Sequence, residues 1–487
     1  MGSSRFLSVL ASAAKFLPAA SKPGQKPSLR EKVAWTGLAL VVYLVMAGIP
    51  LYGIPANILQ TISIQSLIFA SKQGSLMTLG IGPIVTAGMI MQILVGSKIL
   101  NVDLSNTEDR VDFTAAQKTF SVLFTVIQAA AYTLGGIFGS LTPGTTLLIL
   151  LQLVFATLLV ILLDEMLQKG WGIGSGISLF IMAGVASTII YDAFSPQPFS
   201  TSSTSTAGPT YAYGSIVATF QAAAHGNPFY TIIRAPANLD PHNISPPDLV
   251  GLGTTVAFIL ILIYLQGMKV EIPVVYQRAQ GYRSKIPLQF LYVSNVPVLL
   301  AGILFSDYSF FGQVIWSKFN HLSNSIFLNW LGTYTTTTNA GLQPIGGLAY
   351  YLQNPAGLWT SEHEPIRALV FVGLLTLLSV VFSFMWVEIA GLSPRDQAEQ
   401  LANSGLQIAG YRSSVGVVES VLRKPVYALT FMSSLAAGLI AGIADILGAY
   451  GSGIGILLAI SIVYQIYQIL VQEQIEELYP GLARILE

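Results

Sequence analysis

The side chains best equipped for chemistry are scarce in this chain and poorly placed to perform it. Cysteine is absent, which removes disulfides, thiolate metal sites and thiol nucleophiles. The four histidines (His225, His242, His321 and His363) fall in segments that the hydropathy pattern places in outer loops, away from any buried metal site or proton relay. No G-x-x-x-x-G-K-[ST] run is present to cradle a nucleotide phosphate. The glycine-rich GWGIGSGIS (170–178) lacks the spacing and strand–turn–helix setting of a dinucleotide site. Close helix packing or a cytoplasmic turn suits it better. Asp164, Glu165, Glu271, Glu388 and Asp445 stand at the ends of apolar runs, where water is within reach. Ion-coupled carriers keep such groups at mid-depth. The middles of these runs offer Ile, Val, Leu, Thr, Gln and Asn instead. What remains is a passive aliphatic constriction that closes by expelling water. No catalytic residue, metal ligand or cofactor is expected, and no enzyme.

The elements that position such a constriction follow from composition. Charged residues make up 9% of the chain and hydrophobic residues 53%, with a mean hydropathy of +0.65. A soluble core cannot hide that much apolar surface. The net charge of zero gives no basic field for nucleic acid. A spanning helix needs ~20 mostly apolar residues. Ten runs qualify: 33–52, 75–97, 119–139, 145–163, 173–191, 249–268, 286–306, 368–387, 425–444 and 451–472. Pro143–Gly144 separates the third from the fourth, and Lys424–Pro425 opens the ninth. The expectation is an all-α polytopic membrane protein.

Ten spans leave both termini on one side. Of 23 Lys and Arg residues, only Lys72, Arg234, Lys318 and Arg367 fall on the opposite face, so both termini are expected in the cytoplasm. Residues 1–32 form a cytoplasmic segment in which 5–17, with Arg5 and Lys15, predicts an amphipathic helix on the membrane surface. A signal peptide is not expected. Spans 1–5 (33–192) and 6–10 (249–472) make two halves, joined by a long outer loop, 193–248, rich in Ser, Thr and Pro. That loop carries one sequon, Asn243-Ile-Ser245. Residues 269–285 and 388–424 are cytoplasmic loops, and 473–487 a cytoplasmic tail.

Two features complicate the count. No charge occurs from Val33 to Ser71, and Gly53 and Pro55 interrupt that run. The remainder, IPANILQTISIQSLIFA (54–70), is too polar for lipid and too apolar for water. It reads either as a short helix tucked into a protein-lined cavity or as an interfacial helix. Second, an odd number of spans per half requires repeats of opposite orientation. The second span of each half carries Pro-x-x-x-Ala-Gly, at Pro83–Gly88 and Pro297–Gly302. Interrupted helices at matching positions of inverted halves point to a transport pathway.

Basic residues gather in two cytoplasmic loops: Lys269, Arg278, Arg283 and Lys285, then Arg395, Arg412, Arg423 and Lys424. They serve either topology alone or docking of a large cytoplasmic partner.

The runs LGIGPIVTAGMIMQIL (79–94), GWGIGSGISLFIMAG (170–184), YVSNVPVLLAG (292–302), GGLAYYL (346–352) and SPRDQAEQLANSGLQIAGYR (393–412) resemble the SecY family, most of all its archaeal branch. That family provides the large subunit of the Sec protein-translocating channel. The resemblance implies two five-helix halves hinged around an hourglass pore, in a prokaryotic plasma membrane. It makes 54–70 a re-entrant plug, with Ile54, Ile58, Ile62 and Leu67 as its apolar residues. It implies a pore ring of Ile81, Val85, Ile177, Ile181, Leu299 and Leu457, with Leu458 adjacent. The pairs in spans 2 and 5 are four residues apart and so share a helix face. A lateral gate between spans 2/3 and 7/8 would carry polar Thr86, Gln128 and Asn295. Arg412 matches the arginine that family members use to engage a cytoplasmic partner. Where Arg-Gly is expected in loop 6/7 this chain has Gln280-Gly281, which leaves Arg278, Arg283 or Lys285 to substitute.

The function implied is a passive, gated conduit for unfolded secretory polypeptide that also releases membrane segments sideways into lipid. Signal sequences would be its ligands. A ribosome or another cytoplasmic motor would supply energy, and SecE-type and small beta-type single-span subunits would be partners. The alternative is an inverted-repeat secondary transporter for a small solute, which would need a polar midplane site.

Overall fold

The computed structural model describes residues 5–54, 74–97, 99–100, 102, 107–135, 138, 141–199, 211–234, 245–276, 283–293, 296–320, 325–337, 341–355, 357–403, 406–408 and 414–478. Ten of its helices follow the ten predicted spans in order. The first half contributes α2 (Leu29–Gly48), α3 (Gly82–Gly96), α4 (Thr107–Leu134), α5 (Pro143–Met166) and α6 (Gly176–Phe194). Before them lies α1 (Arg5–Ala13), and α7 (Ser215–Ala224) lies between the halves in sequence. The second half contributes α8 (Leu249–Gly267) and α9 (Val296–Ile315). Three short helices follow: α10 (Ile326–Leu331), α11 (Leu348–Leu352) and α12 (Leu358–His363). Then come α13 (Pro365–Ile389), α14 (Pro394–Asn403), α15 (Val415–Ile446) and α16 (Gly453–Leu478).

Sequence-local chemistry sets several helix starts. Ser28 and Glu31 form a reciprocal capping box on α2. Thr142 caps α5 ahead of Pro143. Asp248 Oδ1 accepts from Gly251 N–H at 2.7 Å to cap α8. Among the described residues, eight helices are long and apolar enough to cross a membrane. The exceptions have plain causes. α3 has only 15 residues, about 22 Å of helix, and α4 carries Asp109, Arg110, Asp112 and Lys118 in its first half.

Within each half, neighbours in sequence pack together: α3 on α4 and α4 on α5, α9 on α13 and α13 on α15. The halves meet along two seams. On one, α16 packs on α6, and Lys32 of α2 pairs with Glu473 of α16. On the other, α3 touches α9 and α13, and α4 touches α9.

A second internal echo supports the repeat. The last span of each half opens on Gly-Ser-Gly-Ile, at 174–177 and 451–454. The first glycine has positive φ in both, +69° at Gly174 and +73° at Gly451. A carboxylate from the preceding helix closes each turn. Asp164 Oδ1 accepts from Ile177 N–H at 3.0 Å, and Asp445 Oδ1 accepts from Gly453 N–H at 2.7 Å. Both acids are buried, at 8% and 2% exposure, so the expectation that they reach water is corrected. Their hydrogen bonds to helix N-termini replace the water.

Two predicted boundaries also move. Residues 286–289, placed in span 7, are strand, and α9 starts only at Val296. The run was charge-free but carries Pro287 and a β-favouring pattern. β1 (Pro198–Phe199) pairs with β2 (Tyr211–Ala212), and β5 (Thr333–Thr337) with β6 (Gly341–Gly346). β3 (Lys269–Tyr276) pairs with β4 (Arg283–Gln289), and also with β7 (Leu406–Ile408). The two basic loops therefore share one three-stranded sheet. Pro425 lies inside α15, which begins ten residues before it rather than at it. Finally, α1 packs on α4 instead of resting on lipid alone. Leu7 is fully buried among Met91, Leu100, Phe113 and Ala116, and Thr119 Oγ1 donates to the Leu10 carbonyl at 2.9 Å.

Candidate functional site

The six predicted ring residues stand near the N-terminal ends of four helices, two from each half. Pro83, in the first turn of α3, has its φ preset for helix and no N–H to leave unpaired. Ile81 is the residue that caps this helix, and Val85 follows one turn on. Ile177 and Ile181 occupy the first two turns of α6, behind the Asp164 cap. Leu299 lies in the first turn of α9, just after Pro297, and Leu457 in the second turn of α16. All six predicted ring residues join one apolar cluster. Ile81, Ile181 and Leu457 are buried within it, while Val85, Ile177 and Leu299 pack against it partly exposed. Leu458, the neighbour of Leu457, is buried in the same cluster.

The second seam holds a polar contact. Thr86 of α3, 2% exposed, donates its hydroxyl to Asp307 Oδ2 of α9 at 2.9 Å. Gln128 of α4 is buried as well. Tyr132 of α4 stacks on Phe310 of α9, with ring centroids 4.5 Å apart. The Ser317 hydroxyl donates to the Gly135 carbonyl past the end of α4. Of the three predicted gate residues, Thr86 makes this seam contact, Gln128 is buried on α4, and Asn295 lies outside the described residues.

Asp307 was missed because span 7 was closed at residue 306. Starting the helix at Pro297 would have exposed it as the only charged residue of α9. It is 8% exposed, so the expectation of a bundle without buried charges is corrected. The hydroxyl of Thr86 gives this carboxyl a donor where water does not reach. A single such interhelical bond in a bilayer is worth only about 0.6–1.7 kcal/mol, strong enough to bias a seam and weak enough to be displaced.

Ile54, the one plug residue within the described segments, packs against a separate cluster of Leu51, Leu79, Ala129, Phe138, Ile149 and Leu153. Ile58, Ile62 and Leu67 lie outside the described residues, as do Arg278 and Arg412. Arg283 and Lys285 stand on β4. Lys285 is exposed and pairs with Glu271 of β3. Among the described residues no group of His, Cys, Asp and Glu is arranged to hold a metal ion.

This geometry is shared with proteins of known kind. The SecY family pattern matches residues 75–467, and the plug domain of Sec61p matches residues 41–74. The chain is 44% identical to the protein translocase subunit SecY of Aeropyrum pernix, over 99% of this chain and 98% of that one. It is 36% identical to the Sec61 subunit alpha of Dictyostelium discoideum, over 98% of each. Among solved structures, one described as the structure of a protein conducting channel superposes with a TM-score of 0.79 at 34% identity, covering 97% of this chain and 98% of that one. Sec61 in the canine ribosome-channel complex gives 0.76 at 34% identity, over the same shares. None of these relatives is a solute carrier or an enzyme. The chain belongs to the SecY family and is a protein-conducting channel of the protein translocase.

Proposed function

We propose that Ile81, Val85, Ile177, Ile181, Leu299 and Leu457 form the constriction through which the polypeptide passes. The observation that supports this is that all six, aliphatic and uncharged, stand near the starts of four helices drawn from both halves and belong to the one main apolar cluster. Aliphatic walls meet any side chain without preference and hold no fixed charge to trap one. They close by dewetting. The chain has no cysteine, so single cysteines at Ile81, Ile177 and Leu299 can be crosslinked to a stalled secretory chain carrying one cysteine of its own. Adducts from all three positions are expected. Their absence, with folded protein and a docked ribosome, would remove the ring.

The seam between α3/α4 and α9/α13 is the lateral gate in this reading, with Thr86 and Asp307 as its polar latch and Gln128 and Asn295 assigned to it by the family resemblance. Residues 54–70, including Ile54, Ile58, Ile62 and Leu67, act as the plug. The sheet uniting loops 269–285 and 388–424 supports one docking face, carrying Arg278, Arg283, Lys285 and Arg412, for a ribosome or cytoplasmic motor. The ribosome-bound state of the canine relative supports that partner. Reversing the charge at Arg412 should weaken ribosome binding while leaving the fold intact, and unchanged binding would return the residue to a topology role. The SecE-type subunit would clamp the two halves. Exposed apolar flanks such as Val41, Leu151 and Leu260 leave room for it and for the small beta-type subunit. Photocrosslinkers at these positions in the coexpressed complex would test that, and labelling by lipid alone would refute it. A prokaryotic plasma membrane with both termini cytoplasmic completes the reading, which protease accessibility of the tail in spheroplasts checks.

A further inference from the structure

The outer loop between the halves is organised around one buried cation. Arg234 is 1% exposed and is the largest fully buried side chain among the described residues. Its Nη1 donates to the Tyr213 carbonyl at 2.7 Å and to the Pro247 carbonyl at 3.0 Å. Its Nη2 donates to the Ala212 carbonyl at 2.9 Å. The guanidinium carbon also stands 5.9 Å from the centre of the Phe199 ring.

These acceptors come from opposite ends of the loop. Ala212 belongs to β2 (Tyr211–Ala212), which pairs with β1 (Pro198–Phe199) immediately after α6. Gly214 N–H donates to the Ser195 carbonyl at 3.0 Å, holding the same strand to the exit of α6. Pro247 directly precedes Asp248, the cap of α8. One guanidinium thus bridges the exit of the last span of the first half and the entry of the first span of the second.

That entry is itself immobilised. The Tyr450 hydroxyl donates to the Asp248 carbonyl at 2.6 Å, and Tyr450 N–H donates to Thr255 Oγ1 at 2.8 Å. A Cβ added at Gly251 would lie 2.3 Å from the Gly448 carbonyl oxygen, so α8 and the turn before α16 approach as closely as backbone permits. A Cβ at Gly451 would lie 3.1 Å from Val185 of α6. The helices α6, α8 and α16 therefore meet under the loop, on the seam opposite the Thr86–Asp307 contact.

We propose that Arg234 is a positioning residue for gate opening: it pins the pivot about which the two halves turn. A planar guanidinium directs its donors rigidly, so three carbonyls from two ends of the loop are held at fixed mutual distance. With the pivot fixed, a wedge at the opposite seam separates α3 and α4 from α9 and α13 instead of letting the halves slide. This rests on the lateral-gate reading above.

The test uses the full chain with its single-span partners in proteoliposomes. Spin-label pairs are placed at Ile190 and Val256, exposed on α6 and α8, and at Ile127 and Leu304, exposed on α4 and α9. A synthetic oligo-leucine signal peptide is the probe. In Arg234→Met the pivot distances should broaden, and the fraction of molecules whose gate pair separates at a given peptide concentration should fall about tenfold, the factor that 1.4 kcal/mol represents. Arg234→Met leaves three carbonyls without a donor, so its melting point should fall; the distances are read well below that point, where the variant is folded, which separates positioning from simple destabilisation. If Arg234→Met does not fold, Arg234→Lys, which keeps the charge but loses the fork, is read with the same two outcomes. Unchanged pivot distances and gate response in a folded variant, while the native gate still opens, would overturn the pin alone. A native gate pair that never separates would overturn the lateral-gate reading, and the pin with it.

Discussion

Replacing Thr86 by valine isolates the latch between α3 and α9. Valine keeps the side chain's shape and deletes only the hydroxyl that Asp307 Oδ2 accepts from at 2.9 Å. Asp307 is 8% exposed in the closed seam, so water cannot take over as donor until the seam parts. Leaving a buried acceptor without its donor costs about 1–3 kcal/mol, and that cost falls on the closed state. The closed-to-open ratio should drop by about 5- to 150-fold. Planar-bilayer recording of the resting channel reads this as open probability. A companion assay reads it as export of a reporter whose signal sequence is too weakly hydrophobic for the native gate. Asp307→Leu removes donor demand and acceptor together, so the double variant should open less readily than the sum of single effects predicts. Resting open probability in Thr86→Val within twofold of native, with normal expression, would refute the latch.

Exchanging Ile81, Val85, Ile177 and Leu299 for glycine should raise resting ion leak and loosen signal-sequence selectivity. Each helical glycine also costs about 1 kcal/mol, so matched alanine variants must leak less for the ring to stand. At the outer end of α8, burial pushes the Asp248 carboxyl up to about 6. The folded state there favours the protonated acid, so its stabilisation is complete below pH 4 and is lost as pH rises through about 6. Hydrogen-exchange protection of 211–234 and 245–250, corrected for intrinsic rates, should fall over that window by up to about 3 kcal/mol, and Asp248→Asn should flatten the profile. A pH-independent native profile would contradict the assignment.

Much of this architecture was legible because lipid leaves the chain few choices. Apolar runs gave the ten helices in order, and the four-residue spacing of Ile81 with Val85 and of Ile177 with Ile181 put each pair on one face. Register was harder wherever a run stayed apolar without being helix. The segment from Ile286 reads as span by hydropathy, yet its pairing with Lys269–Tyr276 makes it strand. That error displaced span 7 and hid Asp307 beyond its end. Asp164 and Asp445 looked solvent-facing because composition cannot show that each folds over the glycine turn ahead of it. Arg234 read as a topology exception, since nothing local signals that carbonyls distant in sequence will surround it.

The two carboxylate-closed glycine turns carry a consequence for how the protein is made. Asp164 finds Ile177 and Asp445 finds Gly453 within a dozen or so residues, so each half closes its own last corner with material already at hand. The first half can lock α5 to α6 while the second is still being synthesised, whereas Lys32 must wait for Glu473, and Thr86 for Asp307. Domains fold as units in the order they emerge. On that order each half closes its own last corner first, and the contacts between the halves, at the fixed seam and at the Thr86–Asp307 seam alike, are the last to form.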